Sequence, residues 1–320
     1  MMDVWQYIVD KKQSGHRVVI LYVLESKGSS PGRRGFKMAV AGDGGFCGTI
    51  GGGIMEHKLV EMAKARLQQA AVETNVIRQV HDKSAGSHHS GMICSGEQTI
   101  FLYEVASKDI EPIKSIIQSV NHKQNATLRL TGTGIYFSDK VPAQLYFFDP
   151  EAKEQEFLYE EKLGPKHHLY VIGGGHCSLA LSALMSRMGF YIRVYDERSG
   201  LNTMQSNEWA DEKLQLDHYE KLKECIPDDP DGFVVIMTFG YRTDDIALRA
   251  LMHKNFRYIG MLGSKNKIDK LFEEYRQSGI DQALLEKIHA PIGIQIKSQT
   301  TEEIAVSIAA EIIAEKNRHQ

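Results

Sequence analysis

One stretch constrains the fold more than any other: Val171-Ile172-Gly173-Gly174-Gly175-His176-Cys177. Upstream, His168 to Ile172 reads as a short apolar strand. Downstream, Ala180, Ala183, Leu184 and Met188 recur at helical spacing. A glycine-rich turn between strand and helix aims backbone N–H groups at an anion. Tyr191 to Tyr195 then reads as a second buried strand ending at Asp196. A dinucleotide-binding βαβ unit places its ribose-gripping acid about 20 residues past the glycines, so strand, turn, helix, strand and acid fall in the order of a Rossmann-like, doubly wound parallel sheet. Gly173, Gly175, His176 and Asp196 are therefore candidate contacts for NAD(P) or another nucleotide. The residues leave a second reading open, a turn that closes the fold and holds nothing, because a fold does not fix a function. Ser178 stands where the fingerprint expects Gly or Ala, and His176 is either a ligand donor or a packed or exposed imidazole.

The rest of this half continues the alternation. Phe233 to Met237 and Arg257 to Leu262 read as strands, and Asp244 to Leu251 as a helix. Gly263-Ser264-Lys265 opens another helix with Ser264 as N-cap. Thr300 and Glu303 make a capping-box pattern before a last helix that buries Ile304, Ala305, Ile308, Ala309 and Ile312. Alternating elements predict a parallel sheet covered on both faces, with ligands beyond the carboxyl ends of its strands. Ser264 and Lys265 join the candidate contacts on that ground. Asp244 and Asp245 read as helix-start carboxylates favoured by the macrodipole.

The N-terminal half reads as α+β. Met2 to Lys12 suits a helix with Val4, Trp5, Ile8 and Val9 on one face, and Arg17 to Leu24 a central strand. Gly28-Ser29-Ser30-Pro31-Gly32-Arg33-Arg34-Gly35 is a loop with many backbone donors and two guanidinium groups, suited to a phosphate or simply solvated. Phe36–Val40 and Phe46–Ile50 form a hairpin pattern. Gly51-Gly52-Gly53 then leads into a helix carrying Glu56, with Met55, Leu59, Met62 and Ala63 on its stripe, a second candidate anion cradle. His81 to His89 reads as a polar loop. Cys94, ahead of the strand Thr99 to Tyr103, is either a thiolate of lowered pKa or a small buried hydrophobe.

The chain of 320 residues divides on these patterns into an N-terminal α+β domain (1–105), a connecting segment with a helix and a hairpin (106–165) and a Rossmann-like domain (166–320). The charged run Ala152 to Lys162 ends at Gly164-Pro165, the expected boundary. A net charge of −3 and a pI near 6.5 argue against nucleic acid as the main partner. No apolar run is long enough to span a bilayer, and Asp3 and Trp5 precede any basic residue, unlike a signal peptide. Cys47, Cys94, Cys177 and Cys225 lack CxxC spacing, so neither a disulfide framework nor a zinc knuckle is expected, and a cytoplasmic setting is the simplest.

Taken together the motifs closely resemble the XdhC/CoxI family, accessory factors of xanthine dehydrogenase and related molybdenum hydroxylases. The resemblance covers nearly the whole chain. It is carried by Gly28-Ser29-Ser30-Pro31-Gly32, Gly48-Thr49-Ile50-Gly51-Gly52-Gly53 with Glu56, and Cys94-Ser95-Gly96. In the second half it is carried by Gly173-Gly174-Gly175-His176, Asp196-Glu197-Arg198, Gly263-Ser264-Lys265 and His289-Ala290-Pro291-Ile292-Gly293. The resemblance implies a cofactor-binding chaperone rather than a catalyst, serving purine catabolism: it would bind the molybdenum cofactor (molybdopterin carrying molybdenum), protect it during sulfuration and pass it to the apo-hydroxylase. Implied partners are a xanthine dehydrogenase-type hydroxylase and a cysteine desulfurase, with a homodimer as an option. Gly51 to Gly53 and the Arg33-Arg34 loop would hold the phosphate, and Cys94 would face the soft metal or its sulfur.

The sequence departs from the family pattern in three places. Ile54 follows the triple glycine where the family often has Cys, leaving Cys94 alone or helped by Cys47. Ser95 interrupts Cys-Gly-Gly. Thr238-Phe239-Gly240-Tyr241-Arg242-Thr243-Asp244 lacks the two histidines of the family's Thr-His-x-His. Two other functions compete: an NAD(P)-dependent oxidoreductase using His176 as proton donor, and a nucleotide-sensing module that docks on a hydroxylase. The expectation is that both glycine turns and Cys94 share one pocket.

Overall fold

The structure, a computed structural model, describes residues 3–70, 74–81, 96–152 and 156–318. The chain forms two compact units, Met1–Gly164 and Pro165–Gln320.

The first unit is built on β1 (Val18–Gly28). Every residue from Val18 to Leu24 is buried, because the strand is covered on both faces. Around it lie β2 (Lys37–Ala41), β3 (Phe46–Thr49), β4 (Asn75–His81) and β5 (Gly96–Glu104), antiparallel in the order β3-β2-β1-β5-β4. On one face packs α2 (Gly53–Leu67), where Leu59, Val60, Ala63 and Leu67 meet Val19, Leu21 and Val23. The inward face departs from the expected stripe through Met62: Met62 is exposed, and the face is rotated toward Val60 and Leu67.

On the other face, Ile20, Tyr22 and Leu24 pack with α1 (Val4–Gln13) and α3 (Ile110–Asn121). The same core includes a second antiparallel sheet, β7-β6-β9-β8, made of β6 (Ala126–Thr131), β7 (Gly134–Ser138), β8 (Tyr146–Asp149) and β9 (Leu158–Leu163). Segment 106–165, expected to be a connection, is thus a layer of the first unit as far as Gly164, since Ile113, Leu128 and Tyr159 share a core with Trp5 and Ile20. Much of the charged run before Gly164 is strand β9, whose inward row ends Tyr159, Glu161, Leu163.

The second unit begins with β10 (His167–Ile172), α4 (His176–Ser186), β11 (Phe190–Asp196), α5 (Asn202–Gln205), β12 (Glu212–Gln215) and α6 (Leu222–Cys225). It continues with β13 (Asp229–Ile236), α7 (Tyr241–Leu251), β14 (Phe256–Met261), α8 (Lys265–Gln277), α9 (Gln282–Leu285), β15 (Ile288–His289) and α10 (Thr301–Asn317). All strand pairs are parallel, in the order β12-β11-β10-β13-β14-β15. This is the doubly wound Rossmann arrangement, with its switch point between β10 and β13. Leu169 and Val171 face α4 and α10, while Tyr170 and Ile172 face α7 and α8, so the central strand is buried on both faces from Leu169 to Ile172. Ser264 caps α8, and Thr300 with Glu303 closes the capping box of α10.

Candidate functional site

In the first unit the glycine motifs meet in one clasp. Gln98 on β5, 2% exposed, donates from Nε2 to the carbonyls of Gly32 (3.0 Å) and Ile50 (3.2 Å). A Cβ on Gly32 would lie 2.0 Å from the Ile50 carbonyl oxygen, one on Gly51 2.4 Å from the Gly32 nitrogen, and one on Gly96 2.5 Å from the Ser30 nitrogen. Glycine is required at these positions because backbone packs on backbone. Gln98 is a residue that the sequence motifs do not single out. Its signal is a polar side chain on the same face as Ile100 and Leu102, where a buried amide needs partners.

The turn Gly51-Gly52-Gly53 has φ of +128°, +75° and +73°. Its amides are not all presented outward. Glu56 on α2 reaches back, and its Oε2 accepts from Thr49 Oγ1 (2.6 Å), Ile50 N (2.9 Å) and Gly52 N (2.9 Å). Gly51 N donates to Thr49 Oγ1 at 3.1 Å. Partial burial pushes the Glu56 carboxyl upward, but these hydrogen bonds outweigh it and hold the group below its ordinary range. The chain's own carboxylate thus occupies the anion cradle. A Cβ on Gly52 would meet nothing within 4 Å, so space opens there. Arg33 is exposed and donates from Nη1 to Gly28 O (3.1 Å). Arg34 lies 5.8 Å from the Tyr146 ring centroid and 3.9 Å from Glu25. Cys47 packs toward the α1 side of the sheet, and burial raises its thiol. Cys94, with Ser95 and the loop 82–89, lies outside the described residues.

In the second unit, Gly173 (φ +109°) ends β10, and a Cβ there would lie 2.3 Å from the Met237 carbonyl oxygen. Gly175 caps α4, and a Cβ there would meet nothing within 4 Å. His176 is exposed and lines a groove between α4 and α10 with Trp209, Thr301 and Val306. Asp196 sits at the end of β11 with no exposed side-chain surface. It accepts from Gly174 N (2.7 Å), Arg198 N (2.9 Å), Arg198 Nε (2.9 Å) and Arg198 Nη2 (2.7 Å). Burial raises its pKa, and the guanidinium and amides more than reverse that, leaving the carboxyl below its ordinary range. Arg198 in turn lies 4.9 Å from the Phe239 ring centroid.

Across the switch point, Asp244 stands in the first turn of α7, as expected of a helix-start carboxylate, and it is buried there. It is 0% exposed and accepts from Thr238 N (3.0 Å), Thr238 Oγ1 (2.6 Å) and Lys267 Nζ. Lys265 is exposed, and Lys267, two residues further on, is the lysine that pairs with Asp244. A lysine in the first turn of a helix opposes the macrodipole, and that mismatch was the available sequence signal for a carboxylate partner. In the His289–Gly293 segment, Glu311 of α10 accepts from Tyr258 and from Gly293 N (2.8 Å) and faces His289 at 3.5 Å. That motif therefore docks the loop on α10.

Two family models match the chain, the XdhC and CoxI family over residues 12–78 and the XdhC Rossmann domain over residues 169–312. The chain belongs to the XdhC/CoxI family. Among curated relatives, this XdhC/CoxI chain is 27% identical to the Escherichia coli protein YqeB over 92% of its own length, spanning 43% of that longer relative. It is 23% identical to a Bacillus subtilis protein named as a probable xanthine dehydrogenase subunit, over 94% of this chain and 93% of that one. It is 20% identical to the Escherichia coli "molybdenum cofactor insertion chaperone PaoD", over 96% of this chain and 86% of that one. A crystal structure described as a xanthine dehydrogenase from Bacillus halodurans shares the fold, with a TM-score of 0.69 at 24% identity, covering 100% of this chain and 97% of that one. No helix among the described residues is long and apolar enough to cross a membrane.

Proposed function

We propose that this XdhC/CoxI protein is an accessory factor for a xanthine dehydrogenase-type molybdenum hydroxylase. Its cargo is the molybdenum cofactor, which it binds, shelters while the terminal sulfur is installed and hands to the apo-enzyme. The observation that carries this reading is the similarity, along 96% of the chain, to a relative named a molybdenum cofactor insertion chaperone. The residues present fit such a cargo. Molybdopterin offers a phosphate, a flat polar pterin and a soft dithiolene-bound metal. The exposed Arg33 guanidinium, beside the clasp, suits the phosphate. Gly52, with open space above it, admits a close approach. Cys94, two residues before Gly96 in the sequence, supplies the soft thiolate ligand.

The clasp also refines the role of Glu56. Its carboxylate fills the Ile50 and Gly52 amides, so it shapes the turn, and the cargo's phosphate is held by arginine rather than by those amides. The test is gel filtration of purified protein mixed with molybdenum cofactor, with molybdenum and pterin measured in the protein peak. Wild type should retain both. Cys94→Ser should lose molybdenum retention, and Arg33→Ala should weaken binding about tenfold, the loss of ~1.4 kcal/mol, with unchanged thermal midpoints. Wild-type protein that elutes free of cofactor would refute the proposal.

A further inference from the structure

The second unit carries a site that the cofactor reading does not use. In the order β12-β11-β10-β13-β14-β15, a nucleotide lies in the crevice beyond the carboxyl ends of the strands. Its adenosine ribose comes to the end of the strand after the glycine turn, here β11. An acid at that strand end selects the unmodified ribose by accepting from its hydroxyls, and a nearby arginine instead accommodates a 2′-phosphate.

The acid is present here but withdrawn. Asp196 has no exposed side-chain surface, and both its oxygens are engaged by Gly174 N and by the Arg198 amide and guanidinium. What faces outward is the arginine. A cleft of about 360 Å³ beside it is lined by Arg198, Leu201, Met204, Lys213 and Gln215, and no carboxylate lines it among the described residues. Leu201 and Met204 supply an apolar wall suited to a purine face. Lys213 Nζ spends one donor on the Gln205 carbonyl at 3.0 Å, leaving two others. Arg198 Nη1 has no hydrogen-bond partner among the described residues. Arg198 is paired with Asp196 and also feels the Glu197 carboxylate, which does not line the cleft, so Lys213 is the lining cation with no carboxylate partner among the described residues. Its volume is at the low end of small-molecule pockets, roughly 300–1,000 Å³, enough for the adenosine end of a dinucleotide.

We propose that this cleft binds a 2′-phosphorylated adenosine, the adenosine half of NADP, and rejects the plain ribose of NAD. Arg198 Nη1 and Lys213 hold the phosphate, while Asp196 positions Arg198 and makes no ligand contact. The test is isothermal titration of the full-length protein with NADP⁺, NAD⁺, adenosine 2′,5′-bisphosphate and 5′-AMP. NADP⁺ and the bisphosphate should each bind at least about tenfold more tightly than their unphosphorylated counterparts, a difference of ~1.4 kcal/mol. Arg198→Gln should remove the preference, but it also leaves Asp196 without its cation. Lys213→Gln, at the surface, is therefore the second variant: it should weaken NADP⁺ binding about five- to tenfold and leave NAD⁺ binding unchanged. Equal affinity for NAD⁺ and NADP⁺, binding indifferent to Lys213→Gln, or no binding of NADP⁺ at millimolar concentration would each overturn the proposal.

Discussion

The Asp244–Lys267 pair makes an asymmetric prediction that follows from burial. The Asp244 side chain is 1% exposed and that of Lys267 24%. Removing the lysine as Lys267→Met strands a carboxylate that cannot reach water, with only the two Thr238 donors left. Breaking a buried pair in this way costs about 3–5 kcal/mol, and the retained Thr238 bonds place the value near ~3 kcal/mol. Removing the charge as Asp244→Asn leaves the ammonium, which can swing outward along its flexible stem. That loss is one hydrogen bond to a charged group, about 1.5–3 kcal/mol. The lysine variant is thus the more damaging of the two. The second unit spans Pro165–Gln320, so ~3 kcal/mol lowers its melting midpoint by roughly 6–12 °C. Each unit holds one of the two tryptophans, Trp5 and Trp209. A Trp5→Phe background therefore makes fluorescence a reporter of the second unit during urea unfolding. The double variant Asp244→Asn/Lys267→Met should fall short of the summed single effects by about 1–2 kcal/mol, as for residues in direct contact. Additive losses, or Asp244→Asn costing more than Lys267→Met, would refute the argument from burial.

Three further outcomes are expected. Glu56→Gln should destabilise the first unit by roughly 1–2 kcal/mol at neutral pH, since a hydrogen bond to a charged acceptor is worth more than a neutral one. The folded Glu56 pKa lies below its ordinary 4.5, so the unfolded chain binds more protons between the two values and stability rises with pH there. The advantage over Glu56→Gln should be full above about pH 5 and vanish as pH falls through the lower, folded value, read from pH-dependent urea midpoints. Gly51→Ala, at φ +128° with its Cβ 2.4 Å from the Gly32 nitrogen, should cost more than ~3 kcal/mol and leave little folded first unit by circular dichroism. Thr300→Ala should cost only about 1 kcal/mol through the lost cap of α10, and a melting shift as large as that of Lys267→Met would contradict it.

The Rossmann half is legible where its central strands β10, β13 and β14 carry buried apolar runs and where α8 and α10 have the usual capping residues. Ser264, Thr300 and Glu303 fall where their hydrogen-bonding chemistry puts them. The first unit was harder. Strand β9 hid because its inward row includes Glu161, a buried carboxylate accepting from the Tyr22 and Tyr159 hydroxyls, which reads as a charge in a solvated run. The glycine turns were found, but not what fills them. A carboxylate arriving from the following helix turn, as Glu56 does, or from the strand end, as Asp196 does, looks in sequence like a ligand contact. Whether it grips a ligand or its own backbone depends on the burial and on neighbours such as Arg198, which periodicity does not report. Gln98 escaped for the opposite reason: its partners are carbonyls of Gly32 and Ile50, 66 and 48 positions away.

The two margins of the Rossmann sheet are β12, four residues long, and β15, only two. A neighbouring polypeptide laid along either would find one or two rungs of unpaired amides before the template ran out. Ribbon-like growth from copy to copy is thereby discouraged by shortness alone. Pairing of this sheet with a second copy, strand to strand, is the association that its short margins disfavour.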